Sequence, residues 1–350
     1  MKNSARKITL LLCSVLLSAN VLATDHFKVC WSIYAGWMPW AYAEHSGIIK
    51  KWGDKYGIDI EVVQINDYVE SMNQYTAGQF DGCTMANMDA LTIPAASGVD
   101  STVLIVGDYS DGNDAVILKD KQSLKDIKGQ NVNLVQFSVS HYLLARALDS
   151  VGMSERDVNV VNTADADMAS VFGTSEVTAA VTWNPIVSEI LQMPSTTDVF
   201  DSSKIPGEIL DTMIVNTNTL NENPAFGKAL VGAWYEIMNK MQGDSASAKE
   251  VRSYMAATAE TDLAGYDAQL AKTHMFYIPQ SALDLINSEE LYTTMKHVAE
   301  FSFEHGLLGD GAPSAGAVGI EMPTGVYGDK NNIKLRFNST YMQMAADGTL

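Results

Sequence analysis

Strand-like and helix-like segments alternate twice along this chain, and that alternation restricts the fold more than any other feature. In the first cycle FKVCWSI, IDIEVVQI, FDGCTMA and STVLIVG read as strands. Helical patterns over residues 41–56, Asp67–Ala77 and Met88–Ala96 separate them. A second cycle starts after Gly112, with strands DAVILK, NVNLVQF, DVNVVNT and VTAAVTW. Its helices run over Ser138–Val151, Asp165–Phe172 and from Asn184-Pro185 to about Met193. Such alternation predicts parallel sheets covered by helices. TDVF and TMIVNT then read as strands returning to the first unit, and the chain beyond Asn221 reads as mostly helical. A Gly-rich stretch over 306–328 reads as a loop or a series of turns. The expected fold class is α/β, with two lobes: residues 24–112 with 216–350, and an inserted lobe over 113–215.

The first 23 residues carry a different signal. Lys2, Arg6 and Lys7 precede an apolar run from Ile8 to Leu17, and Val21-Leu22-Ala23 offers small residues for cleavage. This is the pattern of a secretory leader. No later stretch approaches the roughly 20 apolar residues that span a bilayer. A formal net charge of −19 argues against nucleic acid and anionic lipid as partners. Past the leader only Cys30 and Cys83 remain, both in strands. Two buried thiols and one bridge are equally compatible with export, although neighbouring parallel strands fit disulfide geometry poorly. The histidines show no zinc spacing, so neither metal nor cofactor is expected.

One α/β unit interrupted by another, with two crossings, is the plan of hinge-closing binding proteins. The leader, Gly78-Gln-Phe-Asp-Gly82, Ala95-Ala-Ser-Gly-Val99, Val177-Thr-Ala-Ala-Val-Thr-Trp-Asn-Pro185 and the helical C-terminal half carry a resemblance. The chain resembles the periplasmic substrate-binding proteins of ABC importers, nitrate/taurine type, with the type II fold. CWSIYAGWMPWAY, VQINDYVESMNQYTAGQFDG and MANMDALTIPAASGVD are similar to the branch found beside urea-carboxylase-type enzymes. The resemblance implies a periplasmic monomer, not an enzyme, that delivers a small-molecule ligand to an inner-membrane ABC permease. The branch implies guanidine or urea use.

In open α/β sheets, ligands bind beyond the carboxyl ends of the strands. That rule selects Trp31, Tyr34 and Trp37 after the first strand and Asp67 after the second. It selects Asn87 and Asp89 after the third strand and Asp108 at the first crossing. In the inserted lobe it selects Ser138 and Ser140, then Asp165, then Trp183. These loops hold rings and carboxylates but no Lys or Arg. Rings and carboxylates suit a flat cation, which stacks on aromatic faces and donates paired hydrogen bonds at its edge. The expected arrangement sets Trp31 and Tyr34 against Trp183, with Asp67 and Asp89 at the ligand's edge. Acid is expected to weaken binding only well below neutral. Urea or another small amide, and a sulfonate- or nitrate-type anion, are the alternative ligands. A lyase-like enzyme on the same fold is the rival class, although no nucleophile motif is present.

Overall fold

The computed structural model describes residues 24–350; the expected leader, residues 1–23, lies outside the described residues. Two sheets organise it. The larger contains β1 (Asp25–Trp31), β2 (Ile58–Gln64), β3 (Gly82–Ala86), β4 (Ser101–Ser110) and β10 (Leu210–Asn216), joined by four later strands. The smaller contains β5 (Asp114–Lys119), β6 (Asn131–Leu134), β7 (Asn159–Asn162), β8 (Ala179–Trp183) and β9 (Thr196–Asp201). Its spatial order is β7-β6-β8-β5-β9. β1 pairs in parallel with both β2 and β3, as strand-helix alternation requires. No described helix is long and apolar enough to cross a membrane.

The chain passes between the sheets twice, at residues 111–113 and 202–209. Here the structure corrects one expectation. TDVF does not return to the first sheet: β9 pairs antiparallel with β5 and forms the edge of the smaller sheet. Only β10 returns, wedged antiparallel between β3 and β4. The Gly-rich stretch also holds more order than expected. It contains β12 (Gly319–Met322) and β13 (Gly325–Tyr327), with β11 (Thr273–Met275) before them and β14 (Ile333–Phe337) after. β12–β14 extend the larger sheet through the β14–β4 pair, while β11 joins β4. The helix expected over 41–56 is two helices, Met38–His45 and Ile48–Tyr56, broken where Gly47 takes φ +72°.

Cys30 and Cys83 are register partners on β1 and β3, and their sulfurs are bonded, with Cα atoms 4.4 Å apart. The bridge therefore ties together two neighbouring central strands whose carboxyl ends lead into the site. Trp40 packs under the first loop against Trp234, ring centroids 5.2 Å apart. It is 1% exposed and belongs to the core.

Candidate functional site

The carboxyl ends of β1, β3 and β8 meet the two crossings at a small enclosed cavity. Four rings wall it: Tyr34, Trp37, Tyr68 and Trp183. They form a chain of contacts, with centroid distances of 5.0 Å (Tyr34–Trp37), 5.7 Å (Trp37–Tyr68) and 5.4 Å (Tyr68–Trp183). Ala86, Val139 and Ile209 add apolar surface, and Asp114 and Asp211 add carboxylates. The space open to the centre of a water-sized sphere is about 10 Å³, room for about one water. The rings come from both sheets. Trp183 Nε1 donates to the Ile33 carbonyl at 3.2 Å, and the Ala35 amide donates to the Asn184 carbonyl at 3.3 Å. These bonds close the smaller sheet's edge of the cavity against the loop after β1.

Two more carboxylates stand directly behind the rings. Tyr68 Oη donates to Asp89 Oδ2 at 2.7 Å, and Tyr34 Oη donates to Asp108 Oδ1 at 3.0 Å. Asp89, Asp108, Asp114 and Asp211 are all at most 4% exposed. Asp114 accepts from Ser110 Oγ at 2.5 Å, and the backbone of Val139, at the start of the helix Val139–Ser150, lies near Asp89. Asp89 Oδ1, Asp108 Oδ2 and Asp211 Oδ2 are buried without a hydrogen-bond donor. Among the described residues, no Lys, Arg or His forms an ion pair with any of the four. Burial therefore acts unopposed by any cation. It pushes the Asp89 and Asp114 carboxyls up to about 7. Asp211 rises well above the usual carboxylate range, through burial and then the charges of Asp108 and Asp114. The same desolvation holds Tyr34 and Tyr68 protonated.

Of the residues expected from the sequence, Tyr34, Trp37 and Trp183 line the cavity, and Asp89 and Asp108 support its rings. Ser138 and Ser140 sit at the start of the helix Val139–Ser150, whose first residue touches the cavity. Ser138 spends its hydroxyl on the cap, accepting from the Ser140 amide at 3.2 Å, while Ser140 Oγ has no partner. Asp165 accepts from the Tyr68 amide at 3.4 Å and faces an outer cleft with Asn66. Three expectations are corrected. Trp31 is the last residue of β1 and is buried in the core, outside the cavity lining. Asp67 caps the helix Tyr68–Thr76, accepting from the Glu70 amide at 2.9 Å on a partly exposed rim. Asn87 ties the Glu208 carbonyl (3.1 Å) to the Leu210 amide (3.2 Å), so it serves the second crossing.

Sequence reasoning missed Tyr68, Asp114 and Asp211. Tyr68 stood beside the chosen Asp67. Asp114 opens DAVILK, read only as a strand. Asp211 had a signal that was available: a lone acid opening the apolar strand LDTMIV. Such a residue is rarely buried unless it has a partner or a task.

Gly36 makes the close packing here possible. A Cβ at that position would sit 2.6 Å from the Tyr34 ring and closer still to Asp108 Oδ2. Gly36→Ala is expected to cost about 1–3 kcal/mol by overpacking. Its unfolding midpoint, read by differential scanning fluorimetry, should drop by several degrees. Gly311→Ala, which meets nothing within 4 Å, should leave it unchanged.

Residues 39–242, over half the chain, match the family model described as NMT1/THI5 like. A Brucella abortus (strain 2308) protein, named as a candidate binding protein with no ligand given, is 22% identical over 185 residues. That alignment covers 51% of this chain and 56% of the relative, so the chain spans only about half the length of that relative. Among solved structures, the alkanesulfonate-binding protein SsuA of Xanthomonas axonopodis pv. citri, bound to MOPS, superposes with a TM-score of 0.66. Identity is 14%, covering 81% of this chain and 94% of that one. The periplasmic nitrate-binding protein NrtA of Synechocystis PCC 6803 superposes at 0.59, with 11% identity over 94% and 99% of the two chains. At these identities the likeness is one of fold, and the two-sheet architecture is that of periplasmic binding proteins.

Proposed function

Because this chain belongs to the NMT1/THI5-like family, we propose that it is an exported solute-binding protein for a small, flat, nitrogen-rich cation of guanidinium type. Two hinged lobes, one built on each sheet, with β10 belonging to the larger, close around the ligand. The loaded protein presents it to an ABC permease in the inner membrane. One observation carries the ligand class: buried carboxylates with donor-less oxygens, walled by four rings, with no protein cation to neutralise them. An isolated buried carboxylate is costly unless it is paired or protonated. Once the cavity widens beyond the one-water space it has here, a guanidinium supplies the missing donors in one plane and offers its faces to the rings. Charge-assisted hydrogen bonds are worth about 1.5–3 kcal/mol each and a cation–π contact about 0.5–2. Together they reach the roughly 8 kcal/mol that micromolar affinity requires.

The named structural neighbours take a sulfonate buffer and nitrate, but their ligands do not transfer to this site. An anion would face buried acids here, with no Lys or Arg in the cavity lining. Urea has the right shape but would leave the carboxylate charge uncompensated. Binding without turnover separates this reading from a lyase-like enzyme.

A calorimetric screen of guanidinium, methylguanidine, urea, taurine and nitrate tests the reading. Guanidinium should bind at least tenfold more tightly than urea, and the anions should not bind. Equal affinity for urea, or a preference for taurine or nitrate, would reject the cation. Trp183→Leu should weaken guanidinium binding about tenfold or more, the worth of one stacked face. Its unfolding midpoint should move little, because Trp183 reaches across to Tyr68 and Ile33 of the other sheet, contacts that opening breaks in any case. Early unfolding with normal affinity would make the ring mere packing.

A further inference from the structure

At the cavity wall stands a pair of acids, one lining it and one behind it, that its charge alone does not explain. Asp211 on β10 and Asp108 on β4 are register partners across neighbouring strands, both are buried, and each carboxyl lies near enough to act on the other's charge. An ionised carboxylate only accepts hydrogen bonds, and two buried side by side repel, so the pair favours holding one proton. The surroundings offer no substitute. Tyr34, from the loop after β1, donates to Asp108 Oδ1, and Asp114, from β5, adds a further negative charge. Asp89 lies beyond Tyr68. Tyr266 and Tyr277 face Asp108 from the C-terminal helical part and stay protonated through burial. Arg252 reaches those tyrosines, but its guanidinium is held by Asp267 at 2.6 Å and by the Met241 and Gly243 carbonyls. The free oxygens of the pair, Asp108 Oδ2 and Asp211 Oδ2, have no donor among the described residues.

We propose that the site captures its cation by exchange: the Asp108–Asp211 pair holds one proton while the cleft is empty and releases it to solvent as the cation enters. The step balances. One carboxylic acid becomes a carboxylate, its proton passes to buffer, and one positive charge replaces another between the same oxygens. The total charge inside the cleft is unchanged, so closing over the ligand buries no additional net charge. The inference rests on the guanidinium reading and sharpens it. The site selects a ligand with a permanent charge, because a neutral molecule of the same shape leaves the proton in place.

Calorimetry of guanidinium binding at about pH 6, in two buffers of different ionisation enthalpy, counts the protons released. About one per guanidinium is expected, since binding that favours the ionised pair must expel its shared proton. In Asp211→Asn, where a neutral amide replaces one acid and can donate to Asp108, residual binding should release none. Guanidinium binding with no proton release would overturn the exchange and leave the cation reading standing. Release undiminished in Asp211→Asn would move the proton to Asp89 or Asp114 and overturn the role of the pair. No detectable guanidinium binding by the wild-type protein would remove the cation reading and this inference together.

Discussion

Asp211→Asn should weaken guanidinium binding by about 100-fold or more and, at the same time, raise the unfolding midpoint of the empty protein. The opposed signs follow from one fact. Asp211 lines the cavity, is 4% exposed, and has an oxygen with no donor. For the ligand, the substitution removes a charged acceptor. A charge-assisted hydrogen bond is worth about 1.5–3 kcal/mol, and the lost attraction at 4 Å adds up to about 4 at an effective dielectric near 20. For the empty protein, it replaces a group that burial penalises by a neutral amide of the same shape. Relief of about 1–3 kcal/mol is the usual scale for an unsatisfied buried group. Calorimetry and thermal melts on the same preparation decide it. If both affinity and stability fall, Asp211 is a structural residue; if affinity holds, the cavity does not read charge.

The second large effect concerns pH. The empty protein should be most stable near pH 5 and lose stability toward pH 8, with guanidinium restoring it. Asp89 and Asp114 carry pKa values of about 7 in the fold, against about 3.9 in an unfolded chain. Between those values the native state holds protons that the unfolded state has released. Stability therefore falls as pH rises through that window and levels off above it. Three pKa units correspond to roughly 4 kcal/mol for each fully buried group. Asp165 and Asp198, each raised to about 6 by burial, act in the same direction. The acid limb belongs to Glu155. Burial would raise it, but hydrogen bonds from His141 and His305 hold it at about 2. Its contribution is present above its unfolded value and is lost as pH falls toward 2. Fluorimetric melts from pH 4 to 8, with and without guanidinium, should show the largest ligand shift at the alkaline end. A midpoint of the empty protein that is flat or rising from pH 5 to 8 would contradict the buried, unpaired state of these acids. This window also revises what the sequence implied. Ordinary carboxylates put the acid loss of binding well below neutral, and burial brings it to neutrality.

Local order was readable wherever one segment decides its own structure. The strand-helix alternation, the Asp67 cap and the rings after β1 all come from patterns a few residues long. Partnerships between distant segments were not readable. TDVF has the composition of any edge strand, and nothing local says that it pairs with DAVILK and not with the first sheet. β12 and β13 are four and three residues long in a Gly-rich stretch, and they exist because β14 gives them a sheet to extend. In the site, alternation along a strand and cap competition decided between neighbours. Asp67 lost to Tyr68 because its carboxylate is occupied by the Glu70 amide. Asp211 became a site residue only because β10 inserts beside β4 and sets it against Asp108.

The positions of the acids along the chain have a mechanical meaning. Asp108 precedes the first passage between the sheets, Asp114 follows it, and Asp211 follows the second. Three of the four buried acids are thus gathered at the passages between the sheets, with Asp89 apart from them after β3. As they ionise without a ligand, their repulsion works as a wedge driven into the joint. On the cation reading, a ligand seated among them would turn the wedge into a rivet, fastening both passages between the sheets.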